Sequence, residues 1–326
     1  MNVGKLPRLY VVMLRYRVAA MVVLFLLLGA AGEGELRLGW RHLLAALALA
    51  SSYVSATALN DLADEEIDKV NHPRDAGRPL VEGWAVRQDL RILCRLAAVL
   101  ALCLAIPLGR AALALVGVAL LMSEAYSARP LRLSYRVAGA PLLLGVAYVV
   151  VPYGLGIVAA EGDLGHVASR LTVGLLVLFA ARIVLKDFRD RAGDAQFGKP
   201  TLLLRFGKTA TCALSLAGLV AADAVLAASL DPALTVLLQP FVLAIGWMLW
   251  RLWRADEAKA EQVAIGVGAR MGNGLLLTLL AWLVVEGAGA SVRDTLLAGT
   301  AVASAFFLSF ASLAARPDEI LVGYKG

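Results

Sequence analysis

Long apolar segments dominate this sequence and set the strongest limit on its fold. Hydrophobic residues make up 60% of the 326-residue chain, charged residues only 17%, and the mean hydropathy is +0.76. Most of the apolar stretches run for about 17 to 22 residues, the length that an α-helix needs to cross a bilayer. Soluble domains are far less apolar, and barrel strands are shorter. The sequence therefore predicts an all-α, polytopic transmembrane helical bundle, with the lipid bilayer as its solvent.

The basic residues give these spans an orientation. If the N-terminus is cytoplasmic, five of the 31 Lys and Arg residues lie on the outer side, which leaves 26 on the cytoplasmic side. Cytoplasmic flanks carry the excess of positive charge, so the asymmetry predicts a multi-pass membrane protein with its long loops, 60–90 and 187–208, on the cytoplasmic side. It also accounts for the formal charge of +6 without nucleic acid as a partner. The predicted spans are 10–30, 42–60, 90–108, 110–125, 138–160, 171–187, 209–229, 234–253, 272–289 and 294–314, and we expect one domain over residues 1–326.

The two long loops hold acidic residues at helical spacing. The first follows an apolar helix with Asn60, Asp61, Asp64 and Asp68, which stack at about i, i+4 and i+8. The second follows another apolar span with Asp187, Asp190 and Asp194, at i, i+3 and i+7, although Gly193 makes the last turn of that helix uncertain. Two acidic helix faces are therefore predicted at the same membrane surface.

Stacked carboxylates repel each other unless a cation lies between them. Oxygen ligands without Cys or His favour Mg²⁺, which completes its coordination with water and phosphate oxygens. The three Cys and three His residues show no spacing typical of a metal or redox site. We predict Mg²⁺ as the cofactor and a diphosphate as the substrate. The predicted metal ligands are Asn60, Asp61, Asp64, Asp68, Asp187, Asp190 and Asp194.

Basic and aromatic residues beside the acidic segments are candidates for binding the diphosphate. Arg182 is notable because it lies within an apolar run, where an ionisable group is usually paired or faces a polar cavity. Alternatives remain for all of them: the acids could be solvated loop charges, the cations could serve only membrane topology, and Tyr126 could be an ordinary interfacial tyrosine. The predicted diphosphate-binding residues are Asn60, Arg74, Arg78, Tyr126, Arg182, Lys186 and Lys199.

These residues resemble the UbiA superfamily of intramembrane prenyltransferases. The family's N-D-x-x-D-x-x-x-D motif is matched by Asn60, Asp61, Asp64 and Asp68, followed by Arg78, Pro79 and Gly83. Its D-x-x-x-D motif is matched by Asp190 and Asp194, followed by Gly198, Lys199, Thr201 and Leu202, and its tyrosine-serine loop is similar to Tyr126 and Ser127. The match covers residues 50 to 208. The four residues between Pro73 and Arg78 are more than many members with aromatic acceptors have. The ten spans predicted from the sequence exceed the nine that are usual in the family, so the resemblance leaves nine or ten spans.

The resemblance implies a helical bundle around a central cavity that the two aspartate motifs cap, with a lateral opening for the prenyl tail. It implies Mg²⁺-dependent transfer of a prenyl group from an isoprenyl diphosphate to a small-molecule acceptor. Asp61, Asp64, Asp68, Asp190 and Asp194 are then the expected catalytic residues. A terpene cyclase of the same architecture, which needs no acceptor, is the main alternative. A transporter is less favoured, because transport sites usually lie near the bilayer midplane.

Overall fold

The computed structural model describes residues 3–73, 75 and 77–314, and within them every regular element is helical. The first predicted span is broken into two helices that meet at an angle of 63°. Three short helical segments, α6, a π-type turn at Val146–Val150 and α7, together form one apolar stretch. The helices are α1 (Leu6–Met13), α2 (Tyr16–Ala31), α3 (Trp40–Asn71), α4 (Arg87–Ala105), α5 (Arg110–Ser127), α6 (Gly139–Gly145), α7 (Val151–Ala159), α8 (Arg170–Ile183), α9 (Asp187–Gln196), α10 (Leu202–Ala227), α11 (Pro232–Arg254), α12 (Ala258–Gly287) and α13 (Val292–Ala314).

Among the described residues, eight helical segments are long and apolar enough to cross a membrane, and the bent pair α1–α2 raises the count to nine. This confirms the predicted polytopic helical fold at the lower of its two span counts. The sixth predicted span, 171–187, coincides with α8, which has only 14 residues and continues through a 3-10 turn, Val184–Lys186, into α9. Alone it is shorter than the roughly 20 residues that a spanning helix requires.

Two helices extend well beyond the predicted spans and carry polar residues with them. α3 continues past residue 60 through the whole first acidic segment and ends at Asn71. α12 begins at Ala258 rather than at 272, so that Arg270 lies in the interior of a helix instead of in a loop. Both extensions contain good helix formers such as Ala, Leu, Glu and Lys, and both contain apolar residues, such as Ile67 and Ile265, that are buried in the bundle.

The first and fifth apolar stretches are joined by a contact between main chains. A Cβ atom placed on Gly29 of α2 would lie 2.0 Å from the carbonyl oxygen of Tyr153, and one on Gly156 of α7 would lie 1.9 Å from that of Leu26. Only glycine permits so close an approach of two helices. This contact fixes α2, the helix whose first turn reaches the acidic end of α3.

Candidate active site

The last third of α3 carries the first acidic segment on a buried face. Asp61, Asp64 and Asp68 are 3%, 5% and 6% exposed, whereas Glu66 is exposed, as the helical spacing predicts. The helix is not regular there, since Asp64 has φ −112° and ψ 16°. This conformation lies in the sparsely populated bridge region, where functional residues are often found. The kink turns the second half of the motif relative to the first.

Two arginines from outside α3 neutralise its first and last aspartates. The Nη2 atom of Arg15 donates to Oδ1 of Asp61 at 2.6 Å. Arg78, in the loop that follows α3, donates to Oδ1 of Asp61 and to Oδ2 of Asp68. Arg15 lies at the bend between α1 and α2 and adopts φ +43°, a left-handed conformation that is uncommon for a residue with a side chain. The bend of the first span thus brings a cation to the acidic motif.

The middle aspartate, Asp64, is bound from three directions. Arg132, in the segment that follows α5, donates to its Oδ1 at 3.2 Å and to the carbonyl oxygen of Ala63 at 3.1 Å. The side-chain amide of Asn60 donates to Oδ2 at 3.3 Å. The ammonium group of Lys199 is 3.4 Å from the same oxygen. Asp64 therefore connects α3 with the segments after α5 and after α9.

The second acidic segment forms α9, which runs through Gly193 without a break. Asp187 and Asp194 are 9% and 2% exposed. Gly193 lies directly against α3: its N–H donates to Oδ1 of Asn71 at 2.6 Å, and a Cβ atom there would lie 2.7 Å from the carbonyl oxygen of Ile67. The glycine that made this turn uncertain in the sequence is the residue that lets α9 pack on α3.

The two acidic helices meet around shared cations. Lys199 is buried and lies 3.4 Å from Asp64 and 3.5 Å from Asp194, so one ammonium group faces a carboxylate from each motif. His72, at the end of α3, contacts Oδ1 of Asp190 through Nε2 at 3.1 Å, and Arg189 donates to the same oxygen. The two aspartate motifs, more than 100 residues apart in the sequence, therefore come together at one end of the bundle.

At this junction, burial and neighbouring charges shift the pKa values of the ionisable side chains in opposite directions. Burial raises the pKa of Asp194, and the nearby Lys199 only partly offsets the effect. Burial also acts to raise the pKa of Asp190, but Arg189 and the hydrogen bond with His72 outweigh it and hold the pKa of Asp190 below its usual range. For Lys199, the charges of Asp64 and Asp194 outweigh burial, so its pKa is raised and the ammonium form is favoured.

A cavity of about 670 Å³ opens beside the two motifs. Its lining near them is polar and strongly basic, whereas the rest is apolar and aromatic. Tyr53, Tyr148 and Phe179 line the apolar part and form a series of edge-to-face contacts, with ring centroids 5.8 and 5.7 Å apart. Such a volume is typical of a site for a small organic ligand. The charged side chains in the lining are Arg15, Arg17, Arg78, Arg182, Lys186, Arg189, Asp190 and Arg270.

Most of the predicted diphosphate-binding residues line the cavity, but two do not. Lys199 is absent from the lining and lies between the two carboxylates, and Arg74 lies outside the described residues. Lys186 donates to the hydroxyl oxygen of Tyr126 at 3.0 Å, so the tyrosine orients the cation. Arg182 donates to the carbonyl oxygens of Gly268 and Ala269 in α12, at 3.0 and 2.9 Å. Those that line the cavity are Asn60, Arg78, Tyr126, Arg182 and Lys186.

Three residues that the sequence prediction did not assign belong to this cluster: Arg15, His72 and Arg132. Each contacts a predicted ligand that is distant in sequence, by 46, 118 and 68 positions. Of these three residues, Arg15 could have been identified as a candidate from the sequence. Arg15 falls inside the predicted span 10–30, and charged residues within spans are usually functional. No sequence pattern identified His72 as a candidate.

Two oxygens at the junction favour a bound cation. Oδ2 of Asp61 and Oδ1 of Asp194 are buried and have no hydrogen-bond partner among the described residues. A buried oxygen without a partner is costly, and carboxylate oxygens are the ligands that Mg²⁺ prefers. Within the described part of the chain, no three His, Cys, Asp or Glu side chains are arranged to hold a metal ion by themselves. The residues therefore fit a Mg²⁺ ion held by one or two carboxylates that takes its other ligands from water and substrate.

Comparisons with known proteins agree with this architecture. Homogentisate phytyltransferase of Synechocystis sp. is 34% identical over 163 residues, which cover 48% of this chain and 51% of the relative. Digeranylgeranylglyceryl phosphate synthase of Pyrococcus abyssi is 32% identical over 163 residues, or 49% of this chain and 55% of the relative. Each match thus spans about half the length of the curated relative.

Solved structures share the fold over most of the chain. A digeranylgeranylglyceryl phosphate synthase superposes with a TM-score of 0.63 at 18% identity, covering 86% of this chain and 99% of that one. A UbiA homologue from Archaeoglobus fulgidus, bound to GPP and Mg²⁺, gives 0.59 at 15% identity, with 96% and 99% covered. The model of the UbiA prenyltransferase family matches residues 18–274. With its multi-pass helical bundle and paired aspartate motifs, the chain belongs to the UbiA prenyltransferase family.

Proposed function

We propose that this protein transfers a prenyl group from an isoprenyl diphosphate to a small acceptor within the membrane, with Mg²⁺ as cofactor. The observation that carries the proposal is the junction of the two aspartate motifs at the basic end of a cavity that is otherwise apolar. A diphosphate suits the basic end, and an isoprenyl chain suits the apolar remainder. The names of the two relatives, a phytyltransferase and a synthase of a prenylated glyceryl phosphate, support the same reaction class.

Basic residues in the cavity lining are placed to bind the diphosphate. Arg15 and Arg78 lie in the lining and also hold Asp61, and Lys186 and Arg189 lie in the lining beside Asp190. A diphosphate brings negative charge that draws these cations toward itself. The carboxylates then require other positive charge. We therefore expect Mg²⁺ and the diphosphate to bind together, with the protein ligands of the metal drawn from Asn60, Asp61, Asp64, Asp68, Asp187, Asp190 and Asp194.

Bond cleavage follows from charge placement rather than from a protein nucleophile. Mg²⁺, when bound, neutralises charge on the diphosphate and so makes it a better leaving group. The basic side chains stabilise the charge that develops on the departing oxygen. The rings of Tyr53, Tyr148 and Phe179 line the cavity where the allylic carbon gains cationic character, and aromatic faces stabilise cations. The apolar walls exclude water, which would otherwise compete with the acceptor.

The excess of basic residues on one side supports a cytoplasmic location for the junction. Labelling of single cysteines introduced at the exposed positions Ala195 and Glu161 from either face of sealed vesicles tests this. We expect a cysteine at position 195 to react from the cytoplasmic face and one at position 161 from the opposite face. The reverse pattern would contradict the orientation.

The reaction is tested with purified protein, Mg²⁺, a set of prenyl diphosphates and a panel of acceptors, with products identified by mass spectrometry. The double variant Asp64→Asn with Asp190→Asn should lose turnover by at least about a thousandfold and remain folded, although the loss of its buried ion pairs should lower its unfolding temperature. Glu66→Gln, an exposed change on the same helix, is the matched control and should retain activity. Undiminished turnover in the double variant would refute the metal role. A cyclic product formed without any acceptor would show ring closure instead of transfer.

A further inference from the structure

Glu261, in the first turn of α12, is a buried carboxylate that binds cations from two other helices. Its side chain is only 8% exposed. Oε2 accepts a hydrogen bond from Nη2 of Arg191, in α9, at 3.0 Å, and Oε1 lies 3.0 Å from Nζ of Lys208, in α10. Burying a carboxylate is costly unless cations and hydrogen bonds compensate it, and here each oxygen has its own cation. One side chain therefore joins α9, α10 and α12.

The two cations lie on either side of a segment that belongs to the aspartate junction. Arg191 precedes residues 192–207, and Lys208 follows them. Within this segment, the ammonium group of Lys199 lies 3.5 Å from the carboxylate of Asp194, and the main-chain N–H of Lys199 donates to the carbonyl oxygen of Asp194 at 2.8 Å. The α12 carboxylate thus holds both ends of the segment that supplies these two residues to the junction.

Two glycines turn the backbone within this segment. Gly198 and Gly207 have φ +64° and +80°, in the left-handed region that glycine adopts readily. Glycine also has the greatest backbone freedom, so local preference alone does not fix these turns. Lys208 follows Gly207 directly, and its ammonium group also donates to the carbonyl oxygen of Ala255, just before α12. The position of the segment therefore depends on side-chain contacts with neighbouring helices.

The contacts of α9 hold it from two sides. Toward α3, Asp190 contacts His72 at 3.1 Å, and the N–H of Gly193 donates to an α3 side chain at 2.6 Å. Toward α12, Arg191 contacts Glu261. Without this second contact, Asp190 still faces α3, but the end of α9 and the segment after it lose their restraint toward α12.

We infer that Glu261 is a positioning residue for the second aspartate motif, which holds residues 192–207 against α12 so that Asp194 and Lys199 stay at the junction with α3. Glu261 is not among the residues that line the cavity, so it acts through these two residues and not on a substrate. Outer residues that orient metal-binding side chains typically contribute about tenfold to a hundredfold to metal affinity or activity. The inference rests on the proposed function for the identity of metal and substrate, but not for the position of the segment.

Steady-state kinetics of the full-length protein in nanodiscs, with geranylgeranyl diphosphate and the most active acceptor of the panel, test the effect on the junction. Glu261→Gln keeps the shape of the side chain but removes its charge. It should raise the half-saturating Mg²⁺ concentration about tenfold to a hundredfold, whereas KM for the acceptor should change less than about twofold. Glu286→Gln, at an exposed position near the other end of α12, is the matched control and should change neither. Leu234→Ala, at a buried position at the start of α11, should lower the unfolding temperature without changing the Mg²⁺ requirement.

Arg191→Gln breaks the same contact from the partner's side, at a position that is 44% exposed and so should not prevent folding. Alone, it should also raise the half-saturating Mg²⁺ concentration. In the Glu261→Gln background it should add less than about a twofold change, because the contact is already lost. Effects of the two substitutions that simply multiply would overturn the inference.

A further measurement needs neither metal nor turnover. Spin labels on cysteines introduced at the exposed positions Ala195 of α9 and Glu66 of α3, with the three native cysteines replaced by alanine, report the distance between the two helices by electron paramagnetic resonance. Without Mg²⁺, Glu261→Gln should broaden the distance distribution or shift its maximum, and Glu286→Gln should not. If no acceptor reacts but this change persists, the proposed function fails while the positioning role stands. An unchanged distribution overturns the inference, as does an unchanged half-saturating Mg²⁺ concentration.

Discussion

Lys199 offers the sharpest test of how the two aspartate motifs are held together. The residue is buried, and its ammonium group lies 3.4 Å from Asp64 and 3.5 Å from Asp194. Lys199→Met keeps the length and apolar stem of the side chain but removes the charge. Asp64 retains its contacts with Arg132 and Asn60. Asp194, by contrast, loses the cation that faces it, and its Oδ1 has no other partner among the described residues.

Breaking a buried ion pair typically costs about 3 to 5 kcal/mol, because the remaining charge is left uncompensated. Since Asp64 keeps two partners, we expect the lower end, about 3 kcal/mol. For a chain of this size, that corresponds to a fall in unfolding temperature of roughly 6 °C. The assay is thermal unfolding in detergent at neutral pH with a chelator present, at one fixed heating rate. Added Mg²⁺ should then stabilise the variant more than the wild type, because the ion replaces the missing positive charge.

Lys69 supplies a matched control, since it also pairs with two carboxylates, Glu65 and Glu66, but is 43% exposed. Lys69→Met should cost less than about 1 kcal/mol. The pH dependence has a definite sign. Burial raises the pKa of Asp194, and removal of the ammonium group raises it further. Protonation of Asp194 on acidification therefore stabilises the folded state of Lys199→Met, and the difference in unfolding temperature between this variant and the wild type becomes smaller at low pH. Equal unfolding temperatures for Lys199→Met and wild type, with no response to Mg²⁺, would refute the shared-cation junction.

Further changes test other parts of the site. Gly193→Ala should lower the unfolding free energy by about 1 to 3 kcal/mol, since its methyl group would meet the Ile67 carbonyl oxygen at 2.7 Å. Gly117→Ala, a helix position with no atom within 4 Å, should be neutral or slightly stabilising in the same unfolding assay. Arg132→Met should lower kcat/KM for the prenyl diphosphate by about tenfold to a hundredfold through misplacement of Asp64, and an unchanged value would contradict that role. Chelation of divalent ions should abolish wild-type turnover, and Mg²⁺ should restore it, whereas a rate insensitive to chelator would exclude a metal requirement.

The sequence was sufficient for the helical architecture and for the shared buried face of the first acidic segment. Apolar segment lengths predict spanning helices because the bilayer thickness fixes them. Helical spacing predicts that Asp61, Asp64 and Asp68 share a face, and all three are buried together. What spacing could not predict is the kink at Asp64, where Arg132 and Lys199 from distant segments contact the side chain.

The cations of the site were harder to predict, because a basic residue at a membrane edge also satisfies the topology rule. Arg15 falls inside the predicted span 10–30, yet its contact with Asp61 depends on the bend at Arg15, which no apolar pattern signals. Arg270 lies just outside the predicted span 272–289, so the sequence prediction places it in a loop. Only the true start of α12, at Ala258, shows that it lies inside the helix.

The contact of Gly29 and Gly156 with opposing carbonyl oxygens has an evolutionary consequence. Where two main chains touch, there is no side chain through which substitution could adjust their separation. The position of α2 against α7 is therefore difficult to alter by single substitutions, and we expect adaptation to a new substrate at lining residues of other helices, such as Phe179 and Leu249. Relatives that differ in acceptor should accordingly diverge at such lining positions while retaining small residues at this crossing.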